Sequence, residues 1–183
     1  MSGATISEVM NPLALFQTIK TFVFDVDGVL TDGSLILAES GEMLRSMNIK
    51  DGFAMQWAVK KGYNVWVISG ARSEAVRARL QRLGVHEVHI GIESKAELLH
   101  EIIARTGSVL EQCLYMGDDI PDYEPMQLCG LPCCPADAVP EIKKVSKYIS
   151  PISGGHGCVR DVIEKVLWLR EDWALQDAPG AAF

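Results

Sequence analysis

Apolar residues along this chain follow two alternating rhythms. Short, largely apolar runs of strand length recur at Phe22–Phe24, Val65–Ile68, Val88–Ile90, Cys113–Met116 and Leu131–Cys133. Strands of that kind are covered on both faces. Between them, apolar residues return at helical spacing: Phe53, Trp57 and Ala58; Val76, Leu80 and Leu83; Leu98, Leu99, Ile102 and Ile103; Val159, Val162, Ile163, Val166 and Leu167. Gly62, Gly84, Gly107 and Gly130 stand where helices should stop. The alternation predicts an α/β fold, a doubly wound, mostly parallel Rossmann-like sheet.

One segment breaks the rhythm. Ser34–Ala38, a polar turn over Glu39–Glu42, and Met43–Ile49 read as a β-hairpin flap spanning about residues 34–49. It follows the first strand directly, so it should project over the carboxyl end of the sheet. Residues 1–18 are expected to form an arm with a short helix around Asn11–Gln17, residues 19–172 the body, and residues 173–183 a tail. There is no internal repeat.

Composition narrows the function classes. With 183 residues, 48% hydrophobic and 22% charged, the chain is expected to be a single soluble domain with a substantial core. A net charge of −7 argues against nucleic acid or an anionic membrane as partner. It leaves anionic substrates open, because a metal ion or a few cations can invert the field inside a cleft. The five cysteines, Cys133 and Cys134 adjacent among them, read as reduced, buried thiols of a cytoplasmic protein. A zinc site from Cys129, Cys133 and Cys134 is disfavoured, since Leu131 and Pro132 make that stretch a buried strand. Neither a membrane-spanning run nor a secretion signal is evident. Trp57, Trp66, Trp168 and Trp173 read as core and helix-face anchors.

The candidate chemistry sits at strand ends. Asp25 and Asp27 follow an apolar strand and precede Gly28, where paired carboxylates need a cation or a shared proton. Ser69 and Gly70 close Val65–Ile68, Lys95 opens the helix after Val88–Ile90, and Asp118, Asp119 and Asp122 follow Cys113–Met116. Each has an ordinary reading as a turn residue, a helix cap or a solvated side chain. Lys95 is the most pointed, because Ser94 and Glu97 form a capping box that places a cation in the first helical turn, against the macrodipole. In that order the residues suit phosphoryl transfer: oxygen ligands for Mg²⁺, donors for phosphate oxygens, and a carboxylate nucleophile.

These motifs resemble those of the haloacid dehalogenase superfamily, over roughly residues 20–170. The resemblance implies that Asp25 is the nucleophile forming an aspartyl-phosphate, that Asp27 is the acid/base, and that Ser69 and Lys95 hold phosphate oxygens. Mg²⁺ would be bound by Asp25, Asp118 and the backbone carbonyl of Asp27, with Asp119 and Asp122 in support. The intervals between Asp25, Ser69 and Lys95 leave no room for a cap domain.

Asp27–Gly33, Asn48–Gly52 and Gly154–Arg160 further resemble the cap-less 3-deoxy-D-manno-octulosonate 8-phosphate phosphatase group. That resemblance implies a homotetramer in which hairpins assemble and a neighbour completes the pocket. It implies Thr31, Asp32, Asn48, Lys50, Asp51, Gly70 and Arg72 near a phosphorylated sugar acid, with Arg72 a candidate for its carboxylate. The chain departs from the group at Lys50 and His156, where Arg is common, and at Ala71, where an Arg or, in nononate 9-phosphate phosphatases, a Glu is usual. A nononate 9-phosphate is therefore the alternative substrate. A receiver-type signalling domain is discriminated by Asp27, since receivers carry no Asp two residues after the phosphorylated one. A phosphate-binding protein without catalysis and a phosphomutase complete the alternatives; the latter needs a cap against water.

Overall fold

The computed structural model describes residues 12–174. After helix α1 (Pro12–Thr18), strand β1 (Thr21–Phe24) opens the sheet. The hairpin follows as β2 (Ile36–Leu37) and β3 (Met43–Leu44), then α2 (Ile49–Lys60), β4 (Asn64–Ile68), α3 (Glu74–Arg82) and β5 (Glu87–His89). The second half runs α4 (Lys95–Thr106), β6 (Cys113–Met116), α5 (Tyr123–Leu128), β7 (Leu131–Cys134), α6 (Pro140–Val145), β8 (Tyr148–Ile149) and α7 (Cys158–Leu169). Six strands pair in the order β5-β4-β1-β6-β7-β8, every pair parallel.

The strand's period of 2 explains the double winding. Phe22 and Phe24 enter the core on one face, with α1, α2, α3 and α7, while Val23 between them enters the core shared with α4, α5 and α6. Helix α7 buries Val159, Val162, Ile163, Val166 and Leu167 completely. Each such side chain is worth about 1.5–3 kcal/mol in removal from water. Trp57 of α2 is fully buried and stacks on Trp173, ring centroids 4.2 Å apart. Trp173, the first residue of the expected tail, is thus packed on the body, and Phe16 of α1 is buried as well. Trp168, expected as an anchor, is instead 61% exposed.

Several boundaries differ from expectation. Ile49 begins α2 rather than ending the hairpin, because Asn48 caps that helix through the backbone N–H of Lys50. The hairpin's paired segments are only two residues each. Ser94 precedes α4 without a side-chain cap bond, so the expected capping box is not formed. Asn11, expected in the first helix, lies outside the described residues. The five cysteines are unbridged and buried.

Candidate active site

Parallel register brings the chemistry to one edge. Phe24, the last residue of β1, lies opposite Val67 of β4 and Met116 of β6, so the residues that follow leave the sheet side by side. The Asp25 N–H continues the ladder to the Met116 carbonyl at 3.1 Å. Beyond Asp25 the chain enters a tight turn closed by Thr31 N–H donating to Val26 O, 3.0 Å. That turn carries Asp27 to the cleft that Asp25 also lines. The turn needs Gly28, whose φ is +87° and whose position leaves no space for a Cβ: one would sit 2.0 Å from Asp118 Oδ2.

A cleft of about 320 Å³ opens there, lined by Asp25, Asp27, Ser69, Gly70, Lys95 and Asp118 among others. Lys95 Nζ stands 2.9 Å from Asp25 Oδ1 and 2.8 Å from Asp122 Oδ1, with only 4% of its side chain exposed. Asp122 is itself fixed from behind. Its Oδ1 also accepts from the buried Tyr115 hydroxyl at 2.9 Å, and its Oδ2 accepts from Asp118 N–H at 3.3 Å. A cation in the first turn of α4 is therefore sustained by two buried anions, which outweigh the unfavourable dipole.

The acidic cluster is over-supplied with charge. Carboxylate oxygens of Asp25, Asp118 and Asp122 lie within 4.8 Å of one another. Burial, then the charge of Asp122, pushes the Asp25 carboxyl up to about 8 against the pull of Lys95. Burial, then Asp122 and Asp119, pushes Asp118 up to about 7. Burial works against the Lys95 ammonium, yet Asp25 and Asp122 hold its pKa above the usual value. Asp118 Oδ1 is buried without a hydrogen-bond partner, and Asp25 Oδ1 is buried against the Lys95 ammonium alone. Crowded, buried carboxylates with a single ammonium among them fit a hard divalent cation. Asp122 has both oxygens engaged and fits the role of support.

The other expected residues separate into those at the cleft and those that are not. Ser69 lines it, 2% exposed, its Oγ accepting from the Ala71 N–H at 3.2 Å. Asp119 lines it while capping the turn at Ile120 N–H. Of the expected substrate contacts, Gly70 alone lines the cleft. Thr31 is fully buried, its hydroxyl accepting from Gly28 and Gly33 N–H to shape the turn. Asp51, 1% exposed, accepts from the Arg160 N–H at the start of α7 and so joins two helices. Asn48 caps α2 and donates to Gly155 O. Asp32, Lys50 and Arg72 are exposed, Asp32 accepting from Ser34 N–H and Arg72 lying over Gly91.

Sequence reasoning missed Arg45. Its guanidinium forks onto Asp27, Nε to Oδ1 at 2.7 Å and Nη2 to Oδ2 at 3.1 Å. The available signal was that Arg45 is the sole cation between Ser34 and Asn48.

Comparison with known proteins agrees with this geometry. A family profile for haloacid dehalogenase-like hydrolases matches residues 84–160. The 3-deoxy-D-manno-octulosonate 8-phosphate phosphatase KdsC of Yersinia pestis is 33% identical over 149 residues, covering 81% of this chain and 80% of the relative. A crystal structure of the Yersinia pestis phosphatase superposes with a TM-score of 0.87 at 30% identity, covering 93% of this chain and 91% of that one. The Moraxella catarrhalis phosphatase, solved in complex with magnesium ion, phosphate ion and KDO, gives 0.85 at 30% identity, covering 88% and 93%. Strand order, the acidic cleft without a cap domain and these relatives together place the chain in the haloacid dehalogenase superfamily, in its cap-less 3-deoxy-D-manno-octulosonate 8-phosphate phosphatase-like subgroup.

Proposed function

We propose that this phosphomonoesterase hydrolyses a keto-deoxy sugar acid phosphate, 3-deoxy-D-manno-octulosonate 8-phosphate, in the cytoplasm and with Mg²⁺. The observation that carries the reading is the buried cluster of Asp25, Asp118 and Asp122 carboxylates with Lys95 among them, in a chain related to a phosphatase solved with magnesium, phosphate and KDO. Among the described residues no helix is long and apolar enough to cross a membrane.

Asp25 is the nucleophile. Its carboxylate oxygen attacks phosphorus, the ester P–O bond breaks, and the departing sugar alkoxide takes a proton from Asp27. Water then attacks the phosphoenzyme, gives its proton to Asp27, and releases inorganic phosphate while Asp25 regains its carboxylate. Lys95 and Ser69 hold phosphate oxygens, Lys95 steadied by Asp122. Mg²⁺ would be held by the side chains of Asp25 and Asp118, with the Asp27 carbonyl as the resemblance implies, and would supply the charge that lets two anions meet.

The flap supports self-association. Ile36 is 65% exposed, Leu37 73%, Met43 54% and Leu44 51%, an apolar cluster that water disfavours. A homotetramer built on these hairpins, with a neighbour closing the cleft, would give the exposed Asp32, Lys50 and Arg72 a substrate to meet. Light scattering on Leu37→Asp should report a smaller assembly than the native protein.

The functional test is phosphate release from a panel of sugar-acid phosphates with Mg²⁺ and with EDTA. The octulosonate ester should show the highest catalytic efficiency, ahead of nononate 9-phosphates, and EDTA should abolish release. Asp25→Asn should be folded and inactive; substantial turnover by that variant would end the mechanism.

A further inference from the structure

We propose that Arg45 is a positioning residue that holds the Asp27 carboxylate in place for hydrolysis of the phosphoenzyme. The proposal rests on the reaction assigned above. The structure supports it in three ways. First, the contact is bidentate, with both Asp27 oxygens engaged by separate guanidinium nitrogens at 2.7 and 3.1 Å, which fixes the plane of the carboxylate as a single bond would not. Second, the remaining guanidinium nitrogen, Nη1, donates to Met43 O at 3.2 Å, so the fork is tied to the backbone of the flap. Third, Arg45 has a side chain only 6% exposed, whereas Asp27 is 34% exposed and still lines the cleft. The arginine stays out of the cleft lining while its partner belongs to it.

Among the described residues nothing else holds Asp27 so. Asp25 is anchored by Lys95, and Asp118 lies against the turn at Gly28. Among the described residues, the side-chain hydrogen bonds to Asp27 come from Arg45.

The two chemical steps use Asp27 differently. In the first, a carboxylic acid gives its proton to the alkoxide, and at least one bond of the fork must yield. In the second, a carboxylate takes a proton from water as the water oxygen bonds to phosphorus and the Asp25 O–P bond breaks. The fork seen here matches the second requirement. Loss of that alignment should slow phosphoenzyme hydrolysis on the order of 10²-fold, the usual consequence of misplacing a reacting group by about 1 Å.

The discriminating probe is p-nitrophenyl phosphate, whose leaving group needs no proton. With Arg45→Met, rapid mixing should show a burst of about one nitrophenolate per active site, followed by slow turnover. Arg45→Lys keeps the charge but loses the fork, and should turn over at an intermediate rate with a smaller burst. A role confined to seating the flap would change KM without producing a burst. Asp27→Asn is the control and should also show the burst. If Asp27→Asn turns over like the native enzyme, the reaction scheme falls and this proposal with it. If Asp27→Asn shows the burst while Arg45→Met and Arg45→Lys match native turnover, this proposal alone falls.

Discussion

Replacing Lys95 with Met offers the sharpest test of the site's electrostatics. The ammonium stands 2.9 Å from Asp25 and 2.8 Å from Asp122, whose side chains are 10% and 1% exposed. Methionine fills similar space but leaves those carboxylates without their cation. Removing one partner of a buried pair costs roughly 3–5 kcal/mol. At about 2–4 °C per kcal/mol for a chain of this size, melting in EDTA should fall by about 6–20 °C. The loss should also depend on pH. The Asp25 carboxyl already rests at about 8 with Lys95 present, and without it the folded variant must hold its protons more tightly still. A folded state that binds more protons than the unfolded one loses stability as pH rises. The gap between native protein and variant should therefore widen from pH 6 to pH 9, and Mg²⁺ should narrow it. Circular dichroism melts across that range suffice as the assay. A gap under about 1 kcal/mol, or one that closes as pH rises, would refute the reasoning.

Two further outcomes follow from the same cleft and its supports. Gly28→Ala forces a side chain into φ +87°, where its Cβ would meet Asp118 Oδ2 at 2.0 Å; backbone strain of about 1–2 kcal/mol should accompany a Mg²⁺ requirement roughly 10–100-fold higher, read by titrating turnover with the metal. An unchanged Mg²⁺ profile would contradict the placement of Asp118. Asp51 is pushed up to about 6 by burial, against backbone N–H donors of Arg160 and Gly157. Since its folded pKa is raised, its contribution is fully present below the unfolded value near 3.9 and is lost as pH rises through about 6, roughly 3 kcal/mol in all. Melts with saturating Mg²⁺, which keeps the metal ligands ionised, should show that fall between about pH 4 and 6, and Asp51→Asn should flatten it; an equal slope in both proteins counts against it.

Much of the sheet was legible because its strands are buried on both faces. Phe22–Phe24, Val65–Ile68 and Cys113–Met116 carry a hydrophobic signal that needs no context, and each became a strand. Helices α5 and α6, six residues each, and β8, two residues, are too short to show periodicity and were not anticipated. The placement of Asp25, Ser69, Lys95 and Asp118 at one edge follows from register, which alternation of strands and helices already implies. Arg45 was illegible because its meaning lies 18 residues away in sequence, across a flap whose own angle no local pattern determines. Thr31 and Asp51 misled for the opposite reason. A polar residue in a motif can serve ligand or backbone, and here the hydroxyl of one and the carboxylate of the other are engaged by neighbouring N–H groups. Ser94 failed as a cap, while Ser73, with the same residue type before α3, accepts from Val76 N–H.

The charges of the cleft divide into two parts with different needs. Asp27 and Arg45 neutralise each other through a fork and ask for nothing further. Asp25, Asp118 and Asp122 have only Lys95 between them, so a fully ionised trio would carry two negative charges in excess. A substrate phosphate brings about two more at neutral pH. Placing it there without a cation would set like charges together in a partly desolvated cleft, where their repulsion is far stronger than in water. A dication removes the excess and makes the cleft neutral before the phosphate arrives. Binding of phosphate and metal must then be coupled, each strengthening the other by the same factor. Inorganic phosphate should thus raise the melting temperature in the presence of Mg²⁺ and leave it unchanged in EDTA. Ligand at about 100 times its dissociation constant contributes close to 2.7 kcal/mol, which for a chain of this length is about 5–10 °C. Equal protection by phosphate with and without Mg²⁺ would mean that some other cation balances the trio, and the assignment of Asp25 and Asp118 as metal ligands would have to be abandoned.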